Sequence, residues 1–65
     1  MNKFYYKGQL IRQSKTKDYN FAVVREKDDG TVVTWGCSTS LVGAEKALKD
    51  AWKVRTDYKV VKLEK

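Results

Sequence analysis

The chain has 65 residues, with 14 Lys and Arg against 8 Asp and Glu for a net charge of +6, a single cysteine, and neither histidine nor proline. Cys37 alone cannot form an intrachain disulfide, and without histidine the usual zinc ligand sets cannot be assembled, so no metal or cofactor is expected. A single small α+β domain over residues 1–65 is expected, burying roughly 60% of its unfolded surface. A core of that size nets about 3–5 kcal/mol, so a homodimer that buries further apolar surface would add stability.

The opening Met1-Asn2-Lys3-Phe4-Tyr5-Tyr6-Lys7-Gly8 lacks the apolar h-region of a signal peptide. No apolar run approaches the ~20 residues that cross a bilayer. The expectation is a soluble cytoplasmic protein with no membrane partner, the setting in which a free thiol persists.

Phe4 to Gln13 reads as a first strand, with Gly8 as a bulge or bend. Tyr19 to Glu26 reads as a second. Thr31 to Ser38 reads as a third, rich in β-branched and aromatic residues that suit a pleated surface. Lys27-Asp28-Asp29-Gly30 supplies the clearest local signal: a type I turn through the aspartates, then glycine in the left-handed region, closing a bulged hairpin. Closure by Lys27 and Thr31 predicts the pairs Arg25–Val33, Val23–Trp35 and Phe21–Cys37. One face then carries Tyr19, Phe21, Val23, Val33, Trp35 and Cys37, and is expected to form the core. The other carries Asn20, Ala22, Val24, Val32, Thr34 and Gly36, and is expected to be open.

Ser40 suits the N-cap of a helix. From Leu41 the apolar spacing becomes helical, with Leu41, Ala44, Ala47, Leu48, Ala51 and Trp52 on one stripe. Glu45–Lys49 and Lys46–Asp50 are pairs four apart that support the exposed side. Gly43 is a poor helix former whose missing side chain would allow close approach to the sheet. The helix should fade near Arg55, and Tyr58 to Leu63 resumes strand character. The predicted architecture is an antiparallel sheet with one helix packed across it, in the order β-β-β-α-β.

Charge is segregated along the chain. Residues before Asp18 carry +5, Asp18 to Glu45 carry −3, and Lys46 to Lys65 carry +4. Segregated charge creates a field that a polyanion can feel. Lys46, Lys49 and Lys53 fall along one helix edge, interrupted by Asp50, while Lys3, Lys7, Arg12, Lys15 and Lys17 lie on the first strand and its following loop. If these groups converge, they can neutralise several phosphates of DNA or RNA, with Tyr5, Tyr6 and Tyr19 as stacking platforms. The alternative is an ordinary solvated helix face and tyrosines that complete a small core. Asp28 and Asp29 are accounted for by the turn, and Cys37 beside Trp35 reads as a buried small hydrophobe. With no histidine and no Gly-rich phosphate loop, an enzyme is not expected.

The segments Tyr19-Asn20-Phe21-Ala22-Val23-Val24, Asp28-Asp29-Gly30-Thr31, and Thr39-Ser40-Leu41 leading into Ala44-Glu45-Lys46-Ala47-Leu48 resemble the three-stranded-sheet-plus-helix domains of phage-type integrases and AP2-type factors. The resemblance covers roughly half to two-thirds of the chain and implies a sheet face, away from the helix, that enters the DNA major groove. Here that face would present Asn20, Val24, Val32 and Thr34 instead of arginines, and a strand follows the helix.

Two functions therefore stand side by side. The first is a nucleic-acid-binding module using Lys3, Lys7, Arg12, Lys15, Lys17, Lys46, Lys49 and Lys53 on phosphate, with Tyr5 or Tyr6 stacking. The second is a protein-binding effector that inhibits a host or defence protein, since the size and general character resemble small proteins of phages and mobile elements. Its features would be an exposed edge strand, aromatic anchors with basic rims and an acidic partner surface. Lysines on one continuous face would favour the first; lysines on opposite sides with an open apolar patch would favour a protein partner or a dimer.

Overall fold

The computed structural model describes residues 1–65. The elements run β1 (Asn2–Tyr6), β2 (Gln9–Ser14), β3 (Phe21–Glu26), β4 (Val32–Ser38), α1 (Leu41–Trp52) and β5 (Lys59–Lys62). The α+β architecture with one helix packed on antiparallel strands is as expected, but what reads as one first strand is a hairpin. Its two-residue loop, Lys7 (φ 50°) and Gly8 (φ 78°), lies in the left-handed region at both positions, as a type I′ turn requires. Glycine supplies that conformation at no steric cost, while Lys7 adopts it against its preference.

The remaining strands form a sheet in the order β4-β3-β5, all antiparallel. The β3–β4 turn matches its sequence signature. Lys27 N–H donates to Thr31 O, Gly30 N–H donates to Lys27 O, and the Asp29 carboxylate accepts from the Thr31 amide and hydroxyl.

Arg25 pairs with Val33 as predicted, but the register shifts between Val23 and Val24. Val24 opposes Thr34 and Val23 opposes Gly36, so Trp35 is the extra residue of a bulge. The predicted pairs Val23–Trp35 and Phe21–Cys37 are therefore replaced. One added residue also reverses the alternation of everything beyond it, which moves Cys37 off the face that carries Trp35.

Both faces of this sheet are covered. On one, Val23 packs with Ala51 and Tyr58, bordered by Ala47, Leu48 and Val60; this is the helix side. On the other, Ala22, Val24, Val61 and Leu63 pack with Phe4, and Tyr6, Ile11, Tyr19, Val32 and Cys37 surround them. That is the face expected to be open. The β1–β2 hairpin lies on it, so Ala22 and Val24 are fully buried. The uninterrupted run Phe21-Ala22-Val23-Val24 is what a strand covered on both sides needs.

The hairpin is anchored at two places. Beyond β5 the chain continues past β1, where Tyr5 and Glu64 exchange backbone hydrogen bonds of 2.7 and 2.8 Å. At the other end the Gln9 amide donates to Gly30 O and accepts from Val32 N–H.

Ser40 caps α1, its hydroxyl accepting from Gly43 N–H. Ala44 and Ala51 from the predicted stripe are buried, whereas Leu41 and Trp52 at its two ends stay outside. A Cβ on Gly43 would fall inside van der Waals contact of Ser38 Oγ, which confirms the expected close approach to the sheet. No helix is long and apolar enough to cross a membrane.

Candidate binding surfaces

The basic residues divide between two layers. Lys3, Lys7, Arg12, Lys15 and Lys17 belong to the hairpin and the loop after it, on one side of β4-β3-β5. Lys46, Lys49 and Lys53 ride on α1, on the other side. The sheet separates the two sets, so they do not form one continuous face.

Several of these groups are also engaged. Lys7 Nζ and Lys59 Nζ bind the two oxygens of Glu26 at 2.7 and 2.9 Å. The hydrogen bonds from Lys7 and Lys59 hold the Glu26 carboxyl down to about 2. Both ammonium groups also flank the Tyr6 ring, at 5.5 and 5.8 Å from its centroid, which removes Tyr6 as a free stacking platform. Lys53 pairs with Asp50 at 3.5 Å. The Arg12 guanidinium lies 5.6 Å from the Tyr19 centroid, and Tyr19 meets Phe4 edge-on.

Lys3, Lys15, Lys17, Lys46 and Lys49 have no carboxylate within ion-pair distance. The first three cluster near the N-terminal strand. There Met1, Asn2, Lys3, Phe4, Tyr5, Asp18 and Lys65 line a groove of about 310 Å³, with Asp18 bound to Lys65 and Asn2 bonded to Lys17 O. Tyr5 is thus the one predicted stacking residue that faces an opening.

Cys37 is half-buried. Burial pushes its thiol up, opposed by Arg12, so it remains largely protonated and weakly nucleophilic at neutral pH.

A second surface gathers where α1 ends and β5 begins. The Trp35 and Tyr58 rings meet edge-on with centroids 5.5 Å apart. The Trp52 indole N–H donates to Tyr58 O at 2.9 Å. The Arg25 guanidinium lies 6.0 Å from the Tyr58 centroid, and its Nε is buried without a hydrogen-bond partner. Trp35 and Trp52 are 42% and 47% exposed even so. Beside them Trp52, Val54, Arg55, Thr56 and Asp57 line a shallow hollow, in which Arg55 and Asp57 are paired.

Sequence reasoning assigned both tryptophans to the core and passed over Arg25. Periodicity can place a tryptophan on the inward stripe. It cannot say that the stripe outruns the sheet, as it does at Trp52.

Comparison with family models, with curated proteins and with solved structures returns no match to this chain. The class stands on the fold alone: a small α+β domain whose sheet is covered by a helix on one face and a hairpin on the other.

Proposed function

We propose that this chain is a protein-binding effector whose partner presents an acidic surface to the pole formed by Arg25, Trp35, Trp52 and Tyr58. The observation that carries this reading is the pairing of two half-exposed indoles with a guanidinium that is already partly desolvated. Trp, Tyr and Arg are the residues that dominate binding energy at interfaces. Trp52 is tethered by its hydrogen bond and Trp35 by its ring contact, so little side-chain freedom remains to be lost on binding. A buried Nε without a partner is costly, and a carboxylate from outside that pairs with the same guanidinium offsets part of that cost.

Affinity capture from a host lysate tests the proposal, run in parallel with wild type, Trp52→Ala and Arg25→Ala. The expected result is an acidic protein retained by wild type through moderate salt and lost by both variants. Equal capture by all three, or none by wild type, overturns the assignment of this pole.

A second reading, nucleic-acid binding, draws on one observation: Lys3 and Tyr5 line one groove, and Lys3, Lys15 and Lys17 have no carboxylate within ion-pair distance. Phosphate contacts from these groups would orient a strand without choosing its sequence.

A further inference from the structure

Arg25 is a half-buried cation with no carboxylate within ion-pair distance. Two acids stand near it in the chain or in space, and both are committed elsewhere. Glu26 is next in sequence, but strand alternation turns it to the hairpin side, where Lys7 and Lys59 hold it. Asp57 precedes Tyr58, whose ring faces the Arg25 guanidinium, and it pairs instead with Arg55. Arg55 Nε and Nη2 donate to its two oxygens at 3.2 and 3.4 Å.

The backbone is pinned on either side of Asp57. Arg55 N–H donates to Ala51 O at 3.0 Å, and Tyr58 O accepts from the Trp52 indole. A change of partner by Asp57 is then a rotation of one exposed side chain and asks for no movement of α1 or β5. Desolvation pushes the Asp57 carboxyl up, but the hydrogen bonds from Arg55 and the charges of Arg55 and Arg25 outweigh it and hold the group below its ordinary range. The field of Arg25 therefore already reaches this carboxylate.

We infer that Asp57 is an internal competitor for the carboxylate a partner brings to Arg25, and that Arg55 is the positioning residue that holds Asp57 aside. The inference rests on the proposed pole and names what regulates it. Arg55 wins Asp57 in the free chain because it lies two residues away, offers two donors and leaves the carboxylate in water. Reaching Arg25 takes the same carboxylate toward Tyr58 and costs part of its hydration. With Arg55 in place the guanidinium of Arg25 stays available. Without it, Arg25 is the cation left to attract Asp57, and the pole closes on itself.

NMR of the arginine side chains tests this on the protein alone, through the rate at which the Arg25 guanidinium turns about its Nε–Cζ bond. In Arg55→Ala that rate is expected to fall at least about tenfold from wild type, because a paired guanidinium breaks a charge-assisted hydrogen bond to turn. Arg55→Lys, which still pairs with Asp57, and Arg55→Ala combined with Asp57→Asn are both expected to return the wild-type rate. A merely structural role for Arg55 would not be reversed at Asp57. Both positions are exposed, so circular dichroism should match wild type throughout. An unchanged rate in Arg55→Ala, or a slowed one that survives Asp57→Asn, overturns the inference. In the lysate capture, Arg55→Ala should retain less of the acidic protein than wild type, and equal retention would also overturn it. No partner enters the NMR measurement, so absence of any captured protein strikes the effector reading while the Arg25 rate still decides this contact.

Discussion

Glu26 ends β3 between two ammonium groups, one from the hairpin turn and one from the start of β5. Its carboxyl titrates near 2 in the folded chain instead of near 4.5, so the unfolded chain takes up the proton first as pH falls. The stabilisation is complete above the ordinary carboxylate range and disappears as pH drops through the folded-state value. Being at the surface, the pairs are screened, and their effect is small. Urea midpoints for wild type and Glu26→Gln should therefore differ near pH 7 and converge near pH 2, about where the folded carboxyl protonates. A gap that persists unchanged to low pH would mean that the carboxylate charge is not what matters at this position. Lys7 shows why the site escapes a sequence reading. It reads as one of five cations in an unbroken basic stretch, and its partner lies on another strand.

The elements differ in how far local chemistry reveals them. Asp28-Asp29-Gly30 and the Ser40 cap are legible because each is closed by atoms a few residues apart. The Lys7-Gly8 turn is hidden because lysine occupies a position where Asn or Asp would announce a hairpin. The Trp35 bulge is hidden for a different reason: what holds the indole on the helix side is Tyr58, beyond the helix. The junction of β4 with α1 allows a clean test. Gly43→Ala brings a Cβ against Ser38 Oγ, which is itself held by Ser40. Helix propensity favours that exchange by about 1 kcal/mol, and the clash opposes it. Gly43→Ala should lower the melting temperature in wild type and raise it in a Ser38→Ala background. The same sign in both backgrounds would show that the contact with Ser38 is not the reason for the glycine.

At the scale of the whole molecule, the sheet partitions the charge. The hairpin lysines and the helix lysines lie behind opposite faces of β4-β3-β5, so they do not present one continuous surface to a strand of nucleic acid. If the chain binds oligonucleotides, Lys3→Glu with Lys15→Glu and Lys17→Glu should abolish binding in a fluorescence-anisotropy titration. Lys46→Glu with Lys49→Glu should leave most of it, because those side chains project from the far layer. Loss in the helix variant equal to that in the hairpin variant would require a different placement of the site. Weakening along a linear log–log salt slope would count the phosphates contacted.

The strands, the turn at Asp28-Asp29-Gly30, the capped helix and the α+β class are written in residue types, because propensity, capping and turn geometry act between near neighbours. That both faces of the sheet are covered, that both tryptophans stay half-exposed and which lysines share a surface are not. They depend on where the β1–β2 hairpin comes to rest, and that is settled by Tyr5 meeting Glu64 across nearly the full length of the chain and by Gln9 reaching the β3–β4 turn. Contacts between residues so distant in sequence leave no periodic trace, since each depends on the positions of all the elements between them.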